Sequence, residues 1–471
     1  MKGYHSCDGP AELVTVGQVL DGMPFGFFHM THIAWALAAI AVLAIQYEMT
    51  PYMFPGLQLH FGADREELST FAAAFQAGCA FGTMMAPALA DRMGRKPTLI
   101  FSITLCATLS YASALSKSLH MLMVLRTLSS ASWAIGWNAL SPWYVEFLPT
   151  KTRGAMLTAL SLGWPIGRGT VILWSQLLGS DWQQLMKLQA IAMMVLMAGT
   201  SLINESPMYL AYRGRLQEAR RVLDAVHRSN GSQWRSDCQL CLDDTGTNTV
   251  DERTWQELLS PEYRSRTAFC WILFALLSGT TILIDTWGPI IFQHLIFPGH
   301  TELPRGLLML FNIGDLIGLV VSVFVIDRIG RKGGFVIGFF LQGIILITLS
   351  GATTFGGARV CLQAIMGMTA TGCRGFAWEG ATMWALEAFP TSLRAAALCS
   401  SRVCMQVMAV FTLKVSAEYL AFYSASQWLQ IFGVLLIMAG GVVVVLNPRE
   451  TAGVPLAEGS DRDATIPAAA A

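Results

Sequence analysis

Apolar runs of about twenty residues recur from one end of the chain to the other, and no other feature constrains the fold as much. A helix needs about 20 apolar residues to cross a bilayer, and a segment inside lipid must satisfy its own backbone polar groups. Twelve such runs can be read, over residues 30–56, 67–90, 97–116, 119–143, 155–178, 183–203, 267–292, 304–326, 334–352, 358–385, 395–418 and 426–447. Only 13% of the 471 residues are charged and 54% are hydrophobic, against about 25% charged in soluble domains. The chain therefore reads as an all-α, polytopic membrane protein with twelve transmembrane helices.

Lys and Arg in short loops set the orientation. Arg92, Arg95 and Lys96 lie between spans 2 and 3, and Lys151 and Arg153 between spans 4 and 5. Arg328, Arg331 and Lys332 follow span 8, and Arg394 follows span 10. If the spans alternate, all of these fall on one side, while the facing loops carry isolated charges such as Arg65, Lys117 and Arg359. That side is expected to be the cytosol, and both termini share it. Residues 1–29 show no cleavable signal pattern and read as a cytosolic segment. Residues 204–265 form a long polar connector with one helical stretch, RGRLQEARRVLDAVHR, and residues 448–471 a disordered cytosolic tail. The sequon Asn230-Gly231-Ser232 in the connector is expected to stay unmodified because it faces the cytosol.

Two charged turns occur twice. DRMGRK at 91–96 matches DRIGRK at 327–332, an offset of 236 from Asp91 to Asp327. VEFLPTKTRG at 145–154 matches LEAFPTSLRA at 386–395, with Glu146 and Glu387 241 apart. The chain is thus an internal duplication with the connector as its seam. It has an N-terminal six-helix bundle over 30–203 and a C-terminal one over 266–447. Parallel halves of this kind suit a carrier that rocks about a central site. Asp91, Arg92, Arg95, Glu146, Arg153, Glu205, Asp327, Arg328, Arg331, Glu387 and Arg394 are candidates for a cytosolic gate of ion pairs, each worth about 0.2–1 kcal/mol if exposed.

Other function classes are disfavoured. Net charge is zero, so nucleic acid is not an expected partner. The ten cysteines are scattered, and the Cys238–Cys241 pair has no second pair at zinc spacing, so neither a metal nor a cofactor is expected. No G-x-x-x-x-G-K-[ST], H-E-x-x-H or G-x-S-x-G run occurs, and the chain does not read as an enzyme.

Ionisable residues inside spans are functional candidates by default. They are Glu48, Arg126, Arg168, Asp285, Asp315, Arg374, Glu379 and Arg402. Each costs about 2.5–3.5 kcal/mol at mid-membrane on an insertion scale, so they must pair or face a wet cavity. Glu48 and Arg126 lie at matching depths, roughly 10 Å below the same end of spans 1 and 4. Arg126, Trp133 and Trp137 share a face of span 4, and Trp378 follows Arg374 by one turn. Arg beside Trp can bind a carboxylate while a flat ring stacks on the indole, which points to an organic anion. Asp285 would greet a cation or carry a second proton.

DRMGRKP, EFLPTKTRG, NESPMYLAYRGR (204–215) and RETAGVPLAE (449–458) resemble signatures of the major facilitator superfamily, in its sugar-porter and organic-ion branch. VGQVLDGMPFGFFH (16–29) resembles the segment before span 1 in synaptic-vesicle-protein-related and bacterial metabolite:proton transporters. The resemblance implies two pseudo-symmetric six-helix bundles, with spans 1, 4, 7 and 10 lining a cavity and spans 5 and 8 meeting between the halves. In proton-coupled sugar porters an acid in span 1 pairs with an Arg in span 4. The resemblance thus casts Glu48 as proton carrier, Arg126 as its switch partner and Asp285 as a further coupling residue. Arg168, Arg374, Trp133, Trp137, Trp378, Asp315 and Glu379 become candidate substrate contacts, with Arg168 and Asp315 a candidate cross-half bridge.

The chain departs from the family pattern in three places. Pro87 and Val323 stand where Gly usually precedes the charged turn, no QQ pair opens span 7, and the loop after span 1 is short. The expected protein is a monomeric secondary active transporter of a small organic solute, proton-coupled, in the plasma membrane or an organelle or vesicle membrane. The alternatives are a receptor or vesicle-membrane interaction protein on the same scaffold, a sugar transporter, and a passive channel.

Overall fold

The computed structural model describes residues 13–23, 26–149, 156, 159–231, 239–241, 256–296, 305–351, 359–389, 391–419 and 423–446. Arg153, Lys151, Ser232 of the sequon, Cys238 and the tail lie outside these residues, as does the side chain of Asp327. Among the described residues twelve helical spans are present, and nine of them are apolar and long enough to cross a membrane on those grounds alone. The other three run over Leu119–Val145, Gly163–Leu178 and Arg359–Glu387. They fall short because they are brief or carry polar side chains such as Arg126, Asn138, Arg374 and Glu379, which they turn inward.

Span 1 is longer than its apolar run, over Phe27–Phe61, and its hydrogen-bond ladder hitches at Met49. Pro51 lacks the N–H that would reach back to Tyr47, and Pro55 repeats the loss one turn on. Glu48 sits at that hitch. Helices on the far side from the charged turns start with side-chain caps. Asp64 and Glu67 form a capping box on span 2, and Ser118 and Asp181 cap spans 4 and 6. Spans 8 and 9 form one helical run, Arg305–Gly351, bent at Gly330 (φ 80°).

The duplication is exact in backbone detail. Gly94 in the first charged turn has φ 106° and Gly330, 236 residues on, has φ 80°, a region that glycine enters without strain. Close approach between helices repeats with the same offset. A Cβ at Gly78 or Gly82 of span 2 would overlap the backbone of span 4 at Thr127 and Ala131. A Cβ at Gly314 or Gly318 of span 8 would overlap span 10 at Met368 and Gly372. Both pairs are G-x-x-x-G, the spacing that lets helices touch in lipid. The close contact thus lies deeper in each span than Pro87 and Val323, and the departure there leaves it intact.

Within each half, span 2 packs on 4, 3 on 6 and 1 on 5; their counterparts 8 on 10, 9 on 12 and 7 on 11 do the same. The halves meet where span 2 packs on 11 and span 5 on 8, two contacts that exchange under the pseudo-twofold axis. On the side away from the charged turns the halves are closed. The Phe54 and Trp287 rings meet at a tilt there, 5.5 Å apart, and Ser69 Oγ donates to the Leu413 carbonyl at 2.6 Å.

Among the described residues two short strands depart from the helical pattern. Leu13–Thr15 and Gln239–Cys241 pair as short parallel strands, a non-local contact that sequence periodicity in so short a stretch does not reveal. The connector's helical stretch is present as Leu216–Ser229. Asn230 at its end accepts the Phe28 N–H at 3.0 Å, at the start of span 1.

Candidate functional site

A cavity of about 770 Å³ opens between the halves on the side of the charged turns. Its inner end is a cluster of five charges, four of them buried and Asp285 half-buried. Gly163 and Gly167 let span 5 lie directly on span 1, since a Cβ at either would strike Leu37, Ile40 or Ala41. That approach carries Arg168 to the hitch in span 1, where its Nη2 donates to Glu48 Oε1 at 2.6 Å. Trp164, one turn earlier on span 5, donates its indole N–H to the same oxygen at 2.6 Å. Across the seam Arg168 reaches Asp315 Oδ2 at 3.2 Å and Asp285 Oδ1 at 3.3 Å. Arg374 of span 10 donates to Asp315 Oδ2 at 2.8 Å and to Asp285 Oδ1. Three carboxylates and two guanidiniums therefore share one mid-membrane site built from spans 1, 5, 7, 8 and 10.

The partner of Glu48 differs from the expected one. Arg126 is fully buried, lies against the Phe75 ring at 4.6 Å, and donates to the Gln46 carbonyl and Thr50 Oγ1 at 3.2 and 3.3 Å. Gln46 and Thr50 are one turn apart on a single face of span 1, and Glu48, two residues from each, points the other way. Depth matched, but direction did not. The expected Arg168–Asp315 bridge is present. Asp285, rather than standing alone for a cation, is held between Arg168 and Arg374. The two arginines expected to face an anion are thus both occupied by acids.

The aromatic wall belongs to the N-terminal half. Trp133 and Trp137 stack in parallel, 5.8 Å apart with 5° between their planes, and Trp164 meets Trp137 edge-on at 5.3 Å. Trp133 is fixed by its N–H to the Leu43 carbonyl. Trp378 lines the facing wall against Phe274, and Glu379 beside it lines the cavity with no cation at ion-pair distance among the described residues. A second, much smaller pocket, about 20 Å³, adjoins Glu48 and Asp285 from the closed side, beside Thr50, Gln76 and Thr286. It has room for about one water molecule. Sequence reasoning missed Trp164 and the Glu48–Arg168 pair. The signal was GWPIGRG, whose Gly163-x-x-x-Gly167 spacing marks a close helix contact just beside the arginine.

At the mouth the charged turns pair within each half. Arg95 contacts Asp91 at 2.7 Å and Glu146 at 3.4 Å, and Arg331 contacts Glu387 at 2.9 Å, with the same 236 and 241 offsets as in the sequence. These pairs join the turn after spans 2 and 8 to the end of spans 4 and 10. Glu205 caps span 3, accepting N–H groups of Arg95 and Lys96 at 3.1 and 3.2 Å. Burial pushes its carboxyl above the usual carboxylate range, against the opposing pull of the Ser206 and Lys96 N–H groups. Arg394 lines the mouth, while Arg92 and Arg328 are exposed.

The model for the family described as "Sugar (and other) transporter" matches residues 14–461. The chain belongs to that family. This transporter is 22% identical to organic cation/carnitine transporter 7 of Arabidopsis thaliana, over 93% of its own length and 95% of the relative's. It is 23% identical to a gallate transporter of Pseudomonas putida, over 81% and 83%. The xylose transporter XylE of E. coli, in a partially occluded inward-open conformation, superposes with a TM-score of 0.73 at 15% identity, over 90% of this transporter and 99% of XylE. XylE as a proton:xylose symporter bound to 6-bromo-6-deoxy-D-glucose gives 0.68 at 15%, over 92% and 98%. The fold is that of the major facilitator superfamily: a multi-pass membrane transporter, not an enzyme.

Proposed function

We propose that this secondary transporter is a proton-coupled symporter of a small organic anion, that its charged turns face the cytosol together with both termini, and that it acts as a monomer. The observation that carries the coupling is the cluster joining Glu48, Arg168, Asp285, Asp315 and Arg374 across the seam. Fully ionised it holds one negative charge in excess, so one proton makes it neutral. A proton taken by the Glu48 carboxylate removes one of the three acids that compete for Arg168. Arg168 then gives its whole fork to Asp315 and Asp285, which draws spans 5, 7 and 8 together. Release of that proton into the open cavity restores the Glu48 pair. Proton binding thereby changes how tightly the halves hold each other, as alternating access requires. The Asp91–Arg95–Glu146 and Arg331–Glu387 groups stiffen the ends that separate when the cavity opens.

The anion reading rests on the indole wall, and on the kinship with a carrier of gallate, a flat aromatic carboxylate. A sugar is the second reading, favoured by the XylE likeness and by the polar side chains of the cavity. Uptake into proteoliposomes under an imposed pH gradient tests the coupling. The wild type accumulates substrate and an uncoupler dissipates it, while Glu48→Gln still exchanges substrate at equilibrium but no longer responds to the gradient. Undiminished gradient-driven uptake by Glu48→Gln would sink the proton-carrier role.

A further inference from the structure

Arg402 of span 11 is a half-buried guanidinium that no described acid neutralises. It lines the cavity, lies over the Trp137 ring at 5.8 Å and donates from Nη1 to the amide oxygen of Asn138 at 2.7 Å. Asn138 belongs to span 4, in the other half. Its Nδ2 is committed to the Ala134 carbonyl at 2.8 Å and to Thr83 Oγ1 at 3.3 Å, which fixes the amide oxygen toward Arg402. Among the described residues Arg402 has no other hydrogen bond. Arg168 and Arg374, by contrast, are each held by two or three carboxylates.

We infer that Arg402, Asn138 and Trp137 form the subsite for the carboxylate of an aromatic acid. In the substrate-free protein the Asn138 amide oxygen stands in for one substrate oxygen. A neutral oxygen satisfies hydrogen-bond geometry but leaves the positive charge of a partly dehydrated guanidinium uncompensated. A carboxylate supplies two oxygens to the planar fork and the missing charge. Its ring then falls beside Trp137, where the parallel Trp133 and the edge-on Trp164 extend the flat surface. The two halves each contribute one side of the clasp, so an anion bound there bridges spans 4 and 11. The inference deepens the anion reading above and rests on it. It assigns recognition to Arg402 and leaves Arg168 and Arg374 to the coupling cluster.

Calorimetry on the purified full-length protein, with 3,4-dihydroxybenzoate and the corresponding benzamide as probes, tests the subsite, alongside proteoliposome uptake of the same acid. The wild type is expected to prefer the acid over the amide at least tenfold. Arg402→Gln is expected to erase that preference, Arg402→Lys to restore part of it, and Asn138→Asp, which supplies a fixed competing carboxylate, to weaken acid binding as strongly as Arg402→Gln. Because Asn138→Asp retains the arginine and its contact, it serves even if Arg402→Gln fails to fold. An acid preference that survives in Arg402→Gln or is unchanged in Asn138→Asp overturns the subsite. A wild type that binds glucose or xylose and not the acid overturns both the subsite and the anion reading. Acid binding that depends on Arg402, without gradient-driven uptake, supports the subsite and overturns the coupling.

Discussion

Arg168 and Asp315 stand 3.2 Å apart across the seam between the two halves, both nearly excluded from solvent. Each also bonds a charge in its own neighbourhood, Arg168 to Glu48 and Asp315 to Arg374. Breaking a buried pair by removing one partner costs about 3–5 kcal/mol, because the other charge is left uncompensated. Arg168→Ala leaves three acids to one arginine and is expected to lower the melting temperature in detergent strongly and to abolish uptake. Arg168→Ala with Asp315→Ala together should regain most of that stability and none of the uptake. Equal melting temperatures for the single and double variants would contradict the pairing.

Trp164 shares Glu48 Oε1 with Arg168. Trp164→Phe keeps the ring and deletes one charge-assisted hydrogen bond, worth about 1.5–3 kcal/mol. Substrate exchange at equilibrium should change little, while the response of uptake to an imposed pH gradient should shift in magnitude or pH midpoint. A pH profile identical to wild type would show that the indole merely packs.

The glycine contacts predict a matched pair of failures. Gly78→Val in span 2 meets the Thr127 carbonyl, and Gly314→Val in span 8 meets the Met368 carbonyl. Backbone cannot yield as a flexible side chain can, so both variants should lose several kcal/mol of stability and express poorly. Gly306→Ala, with open space around it, serves as the tolerated control.

Glu205 gives a pH signature outside the membrane. Its carboxyl is raised by burial, so the folded protein holds this proton where the unfolded chain has lost it. The sign follows: the contribution is present below the ordinary carboxylate value and is lost as pH rises through the raised one. Glu205→Gln should flatten that part of the stability profile. Glu205→Ala, which strands the N–H groups of Arg95, Lys96 and Ser206, should cost about 1–3 kcal/mol at neutral pH.

The twelve spans, their duplication and the paired turns were legible because each is written in local spacing: runs near twenty, an offset of 236, glycines at four. The depth of every buried charge was legible for the same reason, since rise per residue is fixed. Direction around the helix was not. Glu48 and Arg126 share a level, yet Glu48 faces span 5 while the opposite face of span 1, at Gln46 and Thr50, meets Arg126. The role of Arg402 was hidden because its neighbours, Trp137 and Asn138, come from the opposite half, and only folding sets them beside it.

The pairing of Leu13–Thr15 with Gln239–Cys241, and the grip of Asn230 on Phe28, fasten most of the connector beneath the first bundle. Leu258 in turn is tied to Thr267 of the second bundle. The connector is thus anchored to the first bundle at one end and to the second at the other.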